Sequence, residues 1–139
     1  MIRVVADTNV VIAALMLGGV PGAFLDHVFL GSFLLVTSPV LLDELADKLS
    51  LKFQVSPKDV SLIRVRLQTI ALLVEPAPVL EIVSDDPDDN RVLECTVTGR
   101  ANYVVSGDRH LLKLASFEEI PILTTRQFMN IVEAGFHLA

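Results

Sequence analysis

The 139-residue chain is 52% hydrophobic with a formal net charge of -6, which gives it the length of one domain, 1–139, and enough apolar material for one substantial core. Gly, Pro, Asp and Ser break its apolar runs well short of the roughly 18–20 residues a bilayer span requires, and the N-terminus lacks the basic start and cleavage site of a secretory signal, so a soluble, cytoplasmic protein without membrane association is expected. The absence of any Lys/Arg run excludes a generally adhesive nucleic-acid binder, and the lone Cys95 excludes an intramolecular disulfide and suits a buried packing role.

Along the chain, short β-branched runs alternate with helical stretches. "IRVVA" (2–6) reads as a first strand, and the apolar stretch after Asn9 as a helix. "VPGAFLDHVFLG" opens another helix, with Pro21 tolerated in its first turn and Gly31 available to end it. "FLLV" (33–36) is the second strand. Ser38 and Pro39, then Ser56 and Pro57, are N-cap and first-turn pairs that start two more helices. "LLVEP" (72–76), "NYVVS" (102–106) and "IPILT" (120–124) complete a set of about five strands. Strands without polar alternation are covered on both faces, so the pattern predicts an α/β fold: a mainly parallel central sheet flanked by helices. "EPAPVLEIVSDDPDDN" reads as a loop running into an acidic helix start.

Ligands of open parallel sheets bind beyond the C-terminal strand ends, which gives weight to the acidic residues placed there. Asp7 directly follows the first strand, where capping of the next helix is by itself a sufficient role. In "SPVLLDELADKL", Leu41, Leu45 and Leu49 mark the apolar stripe, and Glu44 lies about 60° from Leu41, at its border. Asp43 and Asp47 fall farther out, towards solvent. In "SDDPDDNRVLECTV", capping and the helix dipole account for Asp85, Asp86 and Asp88. Asp89 shares a face with Val92, Leu93 and Thr96, and capping does not explain a carboxylate at the head of an inward stripe. Asp108 follows the fourth strand in "NYVVSGDRHLL", where Gly107 permits a sharp turn. Arg109 and His110 beside it are read as solvated side chains, and His27 and His137 as surface or packing residues.

"VVADTNVVIAAL", "SPVLLDEL", "DPDDNRVLECTV" and "YVVSGDRHLL" together resemble the PIN domains, and in particular the ribonuclease toxins of prokaryotic toxin–antitoxin pairs, over almost the whole chain. The resemblance implies a site of Asp7, Glu44, Asp89 and Asp108 holding one or two Mg²⁺ or Mn²⁺ ions, with Asn9 and Ser106 in support. Thr96 and Val97 depart from the Ala common in relatives, a matter of packing. The implied reaction is hydrolysis of RNA to products with 5′-phosphate and 3′-hydroxyl ends, and the implied partners are an RNA substrate, a small antitoxin and a second copy in a homodimer. Hard oxygen donors suit Mg²⁺ and Mn²⁺, and no paired Cys or HExxH motif suggests zinc. Four converging carboxylates repel one another until a divalent ion relieves the conflict.

Two alternatives stand beside this reading. A haloacid-dehalogenase-like phosphatase also places an Asp after its first strand but needs D-x-D-x-T, and position 9 is Asn. A nuclease-like interaction module with little catalysis would use apolar segments such as "GAFLDHVFLGSFLL" as a docking surface, although core packing is the commoner use of such a run.

Overall fold

The computed structural model describes residues 1–77 and 86–136. Among them are six strands and seven helices: β1 (Arg3–Ala6), α1 (Thr8–Leu17), α2 (Gly19–Leu30), β2 (Leu34–Thr37), α3 (Pro39–Leu51), α4 (Pro57–Ile70), β3 (Leu72–Leu73), α5 (Pro87–Thr98), β4 (Tyr103–Val105), α6 (Arg109–Leu114), β5 (Ser116–Phe117), β6 (Ile120–Leu123) and α7 (Thr125–Glu133). The strands form one sheet in the order β3-β2-β1-β4-β6-β5. Every pairing is parallel except β5 with β6.

Side-chain alternation along the strands divides the apolar residues between the two faces. Val4, Ala6, Leu35 and Val105 pack with residues of α1, α2, α3, α4 and α7. Val5, Val36 and Val104 face the other way, onto Val92, Leu93 and Cys95 of α5 and Leu111 of α6. Cys95 is buried as expected, and burial pushes its thiol up to about 12. Leu41, Leu45 and Leu49 are buried along α3, while Asp43 points outward to Arg64 at 2.7 Å. In the "GAFLDHVFLGSFLL" run, Phe24, Leu25, Val28 and Phe33 enter the core, and Gly31 closes α2 in the left-handed conformation. Gly99 brings the end of α5 onto β2, where a Cβ would stand 2.4 Å from Val36 Cγ1.

The sheet departs from the expected five strands at both edges. The third strand is Leu72–Leu73 rather than 72–76: Val74 makes one more bond, to the Thr37 carbonyl at 2.9 Å, and Pro76 has no N–H to continue the ladder. The sixth strand, β5, joins β6 through Glu118 and Glu119, both at positive φ (48° and 68°), a turn that Gly or Asn ordinarily supplies. His137 and residues 78–85, half of the 75–90 loop reading and including Asp85, lie outside the described residues. Among the described residues no single helix is long and apolar enough to cross a membrane.

The strand order creates the functional crevice. From the central β1 the chain steps outward to β2 and β3, then returns to place β4 on the opposite side of β1. The loops leaving β1 and β4 therefore diverge at a topological switch point, the usual ligand position in open parallel sheets. Asp7 leaves β1 there, and Ser106-Gly107-Asp108 leaves β4.

Candidate active site

Asp7 is the floor of this crevice. Only 6% exposed, it caps α1 by accepting a hydrogen bond from the Val10 amide at 3.0 Å on Oδ1. Its Oδ2 accepts a short hydrogen bond from the hydroxyl of Ser106, which is fully buried. Ser106 Oγ in turn accepts the Asp108 amide at 2.9 Å, so one hydroxyl ties the end of β4 to the end of β1. Burial raises the Asp7 pKa above its ordinary value. The Ser106 and Val10 hydrogen bonds and the Lys48 charge draw it back, and Asp108 pushes it further up.

Asp108 caps α6, with Oδ1 accepting the amides of His110 at 2.7 Å and Leu111 at 3.2 Å. Arg109 and His110 are exposed, as expected. Across the crevice, the acidic start of α5 supplies the remaining oxygens. Asp86 is the N-cap, accepting the Asp88 amide at 2.9 Å. Asp89 is 5% exposed at the head of the buried stripe formed with Val92, Leu93 and Thr96. One carboxylate oxygen from each of Asp86, Asp89 and Asp108 lies within 4.8 Å of the others. Asp88 also borders the cleft. Its pKa is raised by desolvation first, then by the negative charges of Glu44 and Asp86, against the opposing pull of Lys48 and Arg91.

Glu44 closes the third side from α3. Its Oε1 accepts the Thr8 hydroxyl at 2.8 Å and pairs with Lys48 Nζ at 2.8 Å. The same ammonium donates to Thr8 Oγ1 at 3.2 Å and to Asn9 Oδ1 at 3.4 Å.

The four carboxylates singled out in the sequence, Asp7, Glu44, Asp89 and Asp108, thus line one cleft. Ser106 adjoins two of them, and Asn9 lines the same cleft and accepts from Lys48. Asp86 caps α5 as expected, and its carboxylate also lies in the oxygen cluster with Asp89 and Asp108. Asp88, read in the same way, also faces the cleft. Thr8 and Lys48 were absent from the sequence-based set. Lys48 carried one usable signal, its i,i+4 spacing from Glu44, which more often marks an ordinary exposed helix pair.

The donor chemistry suits a divalent cation. Three carboxylates from two helix starts present hard oxygens to a common point, with Asp7 and Asp88 adding negative charge nearby. Burial is the first cause of the raised pKa of both Asp7 and Asp88, and the negative charge of Asp108 on the one and of Glu44 and Asp86 on the other adds to it.

An α/β sheet whose switch point carries a cation-receptive acidic cleft defines the class of this protein. The sequence model of the PIN domain matches residues 3–110, and the chain belongs to that family. PIN domains are generally nucleases that use divalent metal ions and act on RNA or other nucleic acid. The chain is also similar to the uncharacterized protein MJ1680 of Methanocaldococcus jannaschii, with 30% identity over 119 residues, 81% of this chain and 75% of that protein.

Proposed function

We propose that this protein is a Mg²⁺- or Mn²⁺-dependent endoribonuclease, with Asp86, Asp89 and Asp108 as the residues that hold the ion and Asp7 and Glu44 completing the acidic site. The observation that carries this reading is the convergence of three carboxylate oxygens within 4.8 Å beside the buried Asp7 at the switch point of a PIN-family sheet. A bound divalent ion supplies polarisation of the phosphate and a lowered pKa for an attacking water.

The protein's own part is positional. Ser106 and the Val10 amide fix both oxygens of Asp7, and the His110 and Leu111 amides fix Oδ1 of Asp108, so the acidic groups are held in place before substrate arrives. Negative charge around the cleft disfavours RNA in the absence of the cation, which makes binding as well as chemistry ion-dependent. Single-stranded RNA, whose backbone can enter a narrow cleft, is the proposed substrate.

The toxin role, a small antitoxin partner, a homodimer and a cytoplasmic location belong to the same proposal. The exposed Leu17, Phe29 and Leu30 on the α1–α2 pair support a partner surface there. The central test is incubation with 5′-labelled single-stranded RNA in Mn²⁺ or Mg²⁺, with the product ends mapped. Internal cleavage leaving 5′-phosphates, abolished by EDTA and by Asp89→Asn, is the expected result. Cleavage that persists in EDTA or in folded Asp89→Asn would remove the mechanism.

A further inference from the structure

The acidic cleft is asymmetric. On one side, Asp86, Asp89 and Asp108 gather oxygens around a common point. On the other, Glu44 is already paired with an ammonium. An i,i+4 Glu–Lys pair is ordinarily a weak surface feature, but two observations set this one apart. Lys48 Nζ draws oxygen partners from a second helix, Thr8 Oγ1 at 3.2 Å and Asn9 Oδ1 at 3.4 Å, in addition to Glu44 Oε1 at 2.8 Å. Thr8 also donates to the same Oε1 at 2.8 Å, closing a triangle that fixes carboxylate, hydroxyl and ammonium together. Three oxygens around one positive centre are the surroundings a metal ion would otherwise seek.

We infer that Lys48 is a built-in cation that occupies the Glu44 side of the cleft, keeps Glu44 from ligating, and limits the site to one divalent ion at Asp86, Asp89 and Asp108. This rests on the metal-dependent reading above. Glu44 Oε1 already receives both Thr8 and Lys48, so a second divalent ion could use that oxygen only by expelling the ammonium. A dication placed beside a resident ammonium also meets like-charge repulsion, whereas the trio draws two of its carboxylates from the acidic start of α5, with Asp88 beside them. Lys48 is therefore a positioning residue: its charge acts on the ions through Glu44, and the ammonium reaches Asp7 and Asp88 only through its field.

The test counts ions and needs no turnover. Mn²⁺ is titrated into the full-length protein, with free ion followed by electron paramagnetic resonance and heat by calorimetry. The wild type should bind one Mn²⁺ per chain, and Lys48→Arg should do the same. Lys48→Met should bind two, and adding Glu44→Gln to it should return the count to one. Two ions on the wild type, one ion on folded Lys48→Met, or two on the double variant would each overturn the inference while leaving metal-dependent cleavage standing. Should Lys48→Met fail to fold by circular dichroism, Lys48→Gln takes its place with the same expectations. No Mn²⁺ bound to the wild type would instead overturn the metal-dependent reading itself, and this inference with it.

Discussion

Replacing Asp7 with Asn should invert its effect on stability according to whether Mn²⁺ is present. Asp7 is buried, and desolvation raises its pKa above the ordinary carboxylate value. A carboxylate whose pKa is higher in the folded state than in the unfolded chain contributes its full stability below the unfolded value and loses it as pH rises through the folded one. At neutral pH the raised pKa of Asp7 is therefore a cost to the metal-free fold. Asn removes the charge and keeps the geometry: Oδ1 still accepts the Val10 amide, and Nδ2 can donate to Ser106 Oγ once that hydroxyl rotates away. Asn and Asp are also equivalent N-caps, so α1 loses nothing. In EDTA at neutral pH, Asp7→Asn should be more stable by about 1 kcal/mol, the usual scale for relieving a functional site. For a chain of 139 residues that corresponds to a rise in Tm of about 3–5 °C. The advantage should shrink as pH falls through the folded value and vanish below the ordinary carboxylate value, where Asp7 is neutral in both states. With Mn²⁺ at about 100 times its Kd, the wild type should gain about 2.7 kcal/mol by mass action. Asp7→Asn should gain less, and the order of Tm values should reverse. Differential scanning fluorimetry across pH, with EDTA or Mn²⁺, reads all of this. An Asp7→Asn variant less stable than wild type in EDTA, with an undiminished Mn²⁺ shift, would refute the reasoning.

Asp86→Ser should keep α5 capped while removing one carboxylate of the trio, so calorimetry should show Mn²⁺ affinity falling by about 10-fold or more with Tm in EDTA nearly unchanged. Asp108→Asn should lower Mn²⁺-dependent RNA cleavage by at least about 100-fold in a gel assay, the scale of losing a positioned charge at a reacting centre. Ser106→Ala should cost about 1–3 kcal/mol in urea denaturation, because it leaves a buried carboxylate oxygen and the Asp108 amide short of their partner. Gly99→Ala should cost about 1–3 kcal/mol in the same assay, since the new methyl would stand 2.4 Å from Val36 Cγ1 and force the α5–β2 contact apart.

The parts of the fold that could be read in the sequence are those in which local chemistry and tertiary environment agree. Val4-Val5-Ala6, Leu35-Val36 and Val104-Val105 are apolar without alternation because helices cover both faces of the sheet, and that pattern is visible in one dimension. Ser38, Ser56, Asp86 and Asp108 are N-caps in standard positions. The β5–β6 hairpin was hidden because Glu118 and Glu119 occupy positive φ without the Asn or Gly that advertises such a turn. In the site, Asp7, Glu44, Asp89 and Asp108 stood out by strand end or helix face, and the structure brings them to one cleft. Asp86 and Lys48 did not, since each has a complete local explanation, a cap and a helix pair, that conceals its position in three dimensions.

That double use follows from the chemistry of the strand ends. A helix leaving a parallel strand starts with unsatisfied amides, which select Asp at the N-cap, and the same helix starts converge at the switch point of the sheet. Asp7, Asp86 and Asp108 each accept backbone amides on one oxygen, so capping orients the carboxylates that face the crevice. Capping and cation binding are therefore not rival explanations for these residues. The cap supplies a rigid carboxylate without side-chain ordering cost at the moment of binding, and the convergence of several caps supplies the charge density that only a cation can relieve. What distinguishes Asp89 and Glu44 is that neither is a helix cap: one heads a buried stripe and the other is held by Thr8 and Lys48, so their acidity at those positions is explained by the cleft itself.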